Sequence, residues 1–292
     1  MRLITIPRQL HQTWKSKSGL PHNYAFWSRS FVACHPDLEH RIYDDADNRA
    51  LLADTFPQLL PLYDAFPREI FRADFIRPVY LFRFGGMYAD MDFQCLRPLD
   101  DVFASGAGVV LGRMGGDETF AHSIPNAMMF SAPGQAFWLG YLALMAQAWA
   151  EVEDRVYVRP ENVTGPVVLR EAVRRYREDP GAFRSMVADF IDGNGLPVEP
   201  SALEFGRLEL LPGHLCYPLQ WNVPEHQPFT RKGTSSDQRL YSRDEACGMF
   251  PDSLAVTWWT YSWGAEQPVR RRRRRRAWAR LRDAIRSRLQ WA

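Results

Sequence analysis

The segment from about Arg68 to Asp92 constrains this chain more than any other. Ile70, Phe71, Phe75, Val79, Leu81 and Phe82 recur at helical spacing up to Phe84. Gly85 and Gly86 then stop the helix, as glycine does just past a helix C-terminus. A short strand follows and ends in Asp90-Met91-Asp92. Side chains two apart on a strand share a face, so Asp90 and Asp92 are expected to point the same way as Tyr88, with Met91 turned into the core. Pro78 inside the helix removes one hydrogen bond and costs about 3 kcal/mol, so a bend is expected there.

The rest of the first half alternates in the same manner. Strands are expected within Ile4–Trp14 and at Arg41–Tyr43, Gly108–Leu111, Ala127–Ser131, Leu208–Leu211 and Leu254–Trp259. Helices are expected over 22–34, from about Asn48 with Asp47 as its cap, over Phe137–Trp149, and in the later part of Val163–Arg177. The polar stretch 227–247 reads as a loop. This alternation argues an α/β fold. The apolar run Ala136–Ala150 falls short of the roughly 20 residues that a membrane span needs, so it reads as a buried helix. The four cysteines form no metal-binding pair and no disulfide framework, and read as reduced thiols. Met1–Pro7 lacks the apolar segment of a leader, which gives the expectation of a cytoplasmic protein.

Charge is distributed unevenly. Residues 270–292 hold eleven Arg and one Asp, or +10, whereas the whole chain is only +2; the remaining residues are therefore net −8. Trp278, Leu281, Ile285 and Leu289 fall on one helical face of this tail, flanked by arginines. A basic amphipathic helix of this kind suits an anionic membrane surface. A solvated tail ranks second and nucleic acid third, since the body is acidic.

Two carboxylates at D-x-D spacing can hold a hard divalent ion together with the phosphate oxygens of a substrate. A lone D-x-D is commonly only a turn with solvated acids. Asp74 and Arg77 strengthen the chemical reading: three apart, they share a face of the preceding helix. They offer a carboxylate for hydroxyls and a guanidinium for phosphate.

The run RADFIRPVYLFRFGGMYADMDF resembles the sugar-binding D-x-D region of a glycosyltransferase family. That family includes yeast initiating α-1,6-mannosyltransferases, inositol-phosphoceramide mannosyltransferases and bacterial capsular-polysaccharide enzymes. IPRQLHQTWKS, IPNAMMFSAPGQAFW and NVTGPVVL resemble three further family segments in the same order. The resemblance implies a glycosyltransferase type A fold: a Rossmann-like nucleotide-binding half, with a variable half for the acceptor. It implies a catalytic domain over 1–265, with the Arg-rich tail at 266–292. It further implies a retaining hexosyltransferase that uses Mn²⁺ or Mg²⁺ and a nucleotide-sugar, GDP-mannose or a UDP-hexose. The acceptor would be a glycan or a lipid-linked molecule in polysaccharide or glycolipid synthesis, at the inner face of a membrane.

Residue by residue, the resemblance places Trp14 near the donor base, and Asp74 and Arg77 on the donor sugar and diphosphate. Tyr88 would pack beside the metal, with Asp90 on the ribose or metal and Asp92 as the direct metal ligand. Asn126 would touch the transferred sugar, Thr164 and Gly165 would shape the pocket wall, and Ser262 and Trp263, at the family's Ser-Trp positions, would belong to the donor-binding residues. One departure stands out: Thr257 occupies the position where the family usually has a His on the metal side. A degenerate, nucleotide- or glycan-binding protein and a toxin-like transferase acting on a protein are the alternatives.

Overall fold

A computed structural model describes residues 4–117, 119–153, 158–230 and 239–260. Ser262, Trp263 and the Arg-rich tail lie outside the described residues. In chain order the first elements are β1 (Gln9–Thr13), α1 (His22–Cys34), β2 (Glu39–Tyr43), α2 (Asp45–Thr55), α3 (Leu60–Asp64) and α4 (Glu69–Arg83). Next come β3 (Gly86–Ala89), β4 (Phe93–Cys95), α5 (Asp100–Phe103), β5 (Val109–Gly112), β6 (Met128–Ser131) and α6 (Ala136–Ala150). The chain continues through α7 (Pro166–Glu178), α8 (Pro180–Asn194), β7 (Leu208–Leu211), α9 (Gly213–Cys216), α10 (Arg243–Met249) and β8 (Ala255–Thr257).

The fold is α/β, as the alternation predicts. Six strands form the main sheet in the order β2-β1-β3-β6-β5-β7, and β4 pairs with β8 in a separate ribbon. Only β6 runs against the others in the main sheet. The C-terminal ends of β2, β1, β3, β5 and β7 therefore lie along one edge, the edge where open α/β sheets bind ligands.

Both faces of the sheet are covered, which is why β3, β5 and β6 are buried along their whole length. Tyr88, Val109, Leu111 and Met129 face a core shared with α4, α6, α7 and α8. Leu10, Met87, Val110 and Phe130 face a second core with Phe31, Phe93 and Phe103. The two sets alternate along the strands, as a two-residue period requires. The helix α6 is almost wholly buried, and among the described residues no helix is long and apolar enough to cross a membrane.

Several local expectations are corrected. The cap of α2 is Asp44, with Asp47 returning the bond as the third helical residue, so the two form a capping box. Pro78 lies within the helix Glu69–Arg83, which continues through it, and its ring removes the bond to the Asp74 carbonyl. Within 227–247, α10 begins at a second capping box, Ser242 with Glu245. The helix α8, capped by Asp179 and ended by Gly195 in the left-handed conformation, is absent from the expected helices, although Phe183, Met186, Val187, Phe190 and Ile191 recur at helical spacing.

Gly86 sets the join between α4 and β3. Its φ is +83°, and a Cβ there would lie 2.5 Å from the Gln9 carbonyl oxygen. Only glycine lets β3 approach β1 this closely.

Candidate active site

A cavity of about 390 Å³ lies along the C-terminal edge of the sheet. Asp45 lines it from beyond β2, Trp14 and Lys15 from beyond β1, and Asp90, Met91 and Asp92 from beyond β3. Glu69, Ile70, Ala73, Asp74 and Arg77, spaced three to four apart on α4, supply one wall.

The D-x-D is not on a strand. The strand β3 ends at Ala89, and Phe93 N–H donates to Asp90 O at 3.1 Å, closing a turn. The turn sends the chain into β4, away from the main sheet. Asp90 and Asp92 still face one cavity, while Met91 packs with Trp27 and Trp258. Gln12 supports the turn from beneath: its Nε2 donates to the carbonyls of Ala89 at 3.3 Å and Asp90 at 3.4 Å.

Asp74, Arg77, Asp90, Asn126 and Thr164 form one network. Arg77 Nη1 lies 3.1 Å from Asp74 Oδ1, and Arg77 Nη2 lies 3.0 Å from Asp90 Oδ1. Arg77 Nη1 also donates to Asn126 O at 2.9 Å, and the guanidinium sits 4.7 Å over the Tyr88 ring. Asn126 Nδ2 donates to Asp74 Oδ1 at 3.0 Å, and Thr164 Oγ1 donates to Asp74 Oδ2 at 3.1 Å. Tyr88 Oη donates to Asp90 Oδ1 at 2.6 Å. Burial pushes the Asp74 carboxyl up to about 7 against the pull of Arg77. Burial also opposes the Arg77 charge, but Asp90, Tyr88 and Asp74 outweigh it and raise its pKa.

Asp92 is held from the far end of the chain. Thr260 N–H and Oγ1 donate to Asp92 Oδ2 at 2.8 and 3.0 Å, and Thr257 Oγ1 donates to Asp92 Oδ1 at 3.3 Å. Since Thr260 gives its hydroxyl proton to Asp92, the Tyr24 hydroxyl, 2.8 Å away, donates to Thr260 in turn. The β4–β8 pairing sets Phe93 opposite Thr257 and so delivers these residues. Trp259 has a φ of +48°, a costly conformation for a tryptophan. It turns the chain between the two threonines. Thr257 thus serves here as a donor to Asp92.

Among the described residues no group of three or more His, Cys, Asp or Glu is placed to hold a metal ion. The two carboxylates nonetheless suit one. Burial, and then the charge of Asp90, push the Asp92 carboxyl up to about 6. A cation between two like charges would relieve that strain. The remaining ligands would come from phosphate oxygens and water, as is common for Mg²⁺.

Trp14 lines the cavity with its ring tilted against Tyr24, centroids 4.5 Å apart. Thr164 and Gly165 are not on the wall itself; Pro160, Glu161 and Pro166 form it there. Thr164 stands behind, holding Asp74, and a Cβ on Gly165 would meet Glu161 Cα at 2.9 Å. Sequence reasoning missed Gln12, Tyr24, Asp45, His122, Glu161, Trp221 and Thr260. Only Gln12, inside the His-Gln-Thr-Trp run, carried a local signal.

Residues 11–107 match the family described as the glycosyltransferase sugar-binding region containing the DXD motif. Trp14, Asp74, Arg77, Asp90 and Asp92 all fall within the matched stretch. The chain is 34% identical over 177 residues to inositol phosphoceramide mannosyltransferase 3 of Schizosaccharomyces pombe, covering 61% of this chain and 47% of that one. Inositol phosphoceramide mannosyltransferase 2 of the same yeast is 32% identical over 148 residues, covering 48% and 43%. The chain spans less than half the length of these two relatives. A solved structure titled PaToxG Glycosyltransferase superposes with a TM-score of 0.46 at 18% identity, over 68% of this chain and 83% of that one.

Proposed function

We propose that the chain is a nucleotide-sugar-dependent hexosyltransferase of the type A fold. One observation carries the reading: Asp74, Arg77, Asp90 and Asp92 converge on one cavity, within the stretch that matches a sugar-binding region. Asp90 and Asp92 would hold a divalent ion together with the donor diphosphate, and the ion would supply charge neutralisation for the departing nucleoside diphosphate. Arg77 is fixed by two carboxylates and a carbonyl, so its guanidinium is pre-oriented and costs little reorganisation. Asp74, oriented by Thr164 and Asn126, offers its remaining acceptor capacity to sugar hydroxyls. The Trp14 ring provides a face for the nucleobase.

The resemblance supports retention of anomeric configuration with the acceptor entering on the donor's own face. The acceptor class is a glycan or a lipid-linked molecule. The eleven arginines of residues 270–292 support binding to an anionic membrane surface, the cytoplasmic one; cosedimentation with anionic but not neutral vesicles, lost on removing those residues, is the expected result.

The central test is nucleoside-diphosphate release from a panel of GDP- and UDP-sugars with Mn²⁺. Release from one donor, lost in Asp92→Asn, is expected. Nucleotide binding without release from any donor would replace the reading with a binding protein.

A further inference from the structure

The donor reading leaves one end of the cavity unused. Lining residues follow the strand order, so the β1–β2 end and the β5–β7 end lie on opposite sides of Asp90 and Asp92. The second end is aromatic. His122, from the β5–β6 loop, and Trp221, from the chain after α9, both line it. Phe120 stacks on His122 with centroids 5.6 Å apart, and Trp221 meets His122 edge-on at 5.5 Å.

These loops are pinned. Met114 N–H donates to Ser123 O at 2.8 Å, and Trp259 Nε1 donates to Leu219 O at 2.9 Å. Glu161 lines the same end, near enough for its charge to act on His122. Its Oε2 is buried with no hydrogen-bond partner among the described residues. A buried acceptor without a donor is costly, and a turn of the Glu161 side chain that brings it to a ligand hydroxyl would remove that cost.

We propose that Trp221, backed by His122 and Phe120, is the platform for the acceptor's ring, with Glu161 accepting from its hydroxyls. The inference rests on the transferase reading and adds the acceptor's chemistry to it. The ligand is a polyhydroxylated six-membered ring, a hexopyranose or a cyclitol. Its C–H face packs on the negative face of the indole while its rim hydroxyls reach Glu161. Placed across the carboxylates from Trp14, such a ring meets the donor sugar at Asp90 and Asp92.

The test measures donor KM, and acceptor KM with methyl α-hexopyranosides and myo-inositol as acceptors, for the full chain with Trp221→Ala, Trp221→Phe and Glu161→Gln. Trp221→Ala is expected to raise acceptor KM about tenfold, in line with the loss of one stacked ring. Donor KM should hold, and Trp221→Phe should restore most of the acceptor affinity. Unchanged acceptor KM overturns the platform, as does an equal rise in both constants. If the wild type releases no nucleoside diphosphate at all, the transferase reading fails, and the platform is judged by direct binding. Ligand-observed NMR with methyl α-hexopyranosides and with myo-inositol then decides. Ring-proton saturation that Trp221→Ala abolishes supports it, and the probe that binds tells glycan from cyclitol; no saturation from either overturns it.

Discussion

Arg77 Nη2 stands 3.0 Å from Asp90 Oδ1, joining the helix before the Gly-Gly stop to the turn after it. Arg77 is buried and also holds Asp74, so its removal strands two carboxylates. Breaking a buried pair in this way costs about 3–5 kcal/mol. Arg77→Met should therefore lower the urea midpoint strongly. Arg77→Lys should keep more stability yet lose at least about tenfold in kcat/KM, since an ammonium cannot span three acceptors. Equal activity in Arg77→Lys would remove the guanidinium from the proposed site.

Thr260 offers a finer test of the metal reading. Thr260→Val keeps the N–H bond to Asp92 but deletes the hydroxyl, and with it the link to Tyr24. Partners that orient a metal ligand contribute about 10- to 100-fold in affinity. Mn²⁺ binding in the presence of nucleoside diphosphate, followed by calorimetry or the Mn²⁺ spin signal, should weaken by at least about tenfold. Unaltered affinity would show that the Thr260 hydroxyl does not orient a metal ligand, and unaltered affinity in Asp92→Asn that Asp92 is not one.

His11 makes stability depend on pH. It is fully buried, with Nε2 3.0 Å from the Gly85 carbonyl, and burial lowers its pKa from the ordinary 6.5 to about 4. Below pH 6.5 the unfolded chain takes up a proton that the folded chain refuses, so stability is complete above that pH and falls toward pH 4. The slope approaches about 1.4 kcal/mol per pH unit, to a total of about 3 kcal/mol. Urea unfolding of wild type and His11→Gln between pH 7 and 4.5 should show the variant's curve flatter by about one proton. His35 and His40, also lowered by burial, keep part of the slope in both proteins, and Asp74 and Asp92, whose carboxyls burial raises, oppose it in both.

Gly86→Ala should be severe. The substitution forces φ of +83° on an alanine and drives its Cβ against the Gln9 backbone. The left-handed conformation alone costs about 1–2 kcal/mol, and the backbone clash adds to it. A fall in stability of about 3 kcal/mol or more is expected by thermal or urea unfolding, whereas Gly116→Ala, with open space around it, should change little.

The sequence by itself determined the α/β class, the α4–Gly85-Gly86–β3 unit and the carboxylates Asp90 and Asp92. Each is written in residues close along the chain, through helical period and glycine's left-handed conformation; that Asp90 and Asp92 face the cavity from a turn and not from a strand was not written there. The Asp74–Arg77 pair was legible for the same reason, since three residues make one helical turn. Tertiary structure decided what surrounds them. Thr257 and Thr260 reach Asp92 because β8 pairs with β4, more than 160 residues apart in sequence. Thr164 holds Asp74 from 90 residues away, and His122 and Trp221 meet only because β5 and β7 run side by side. Local propensity carries no record of contacts such as these; burial of the two sheet faces, and the strand order that burial imposes, brings them together.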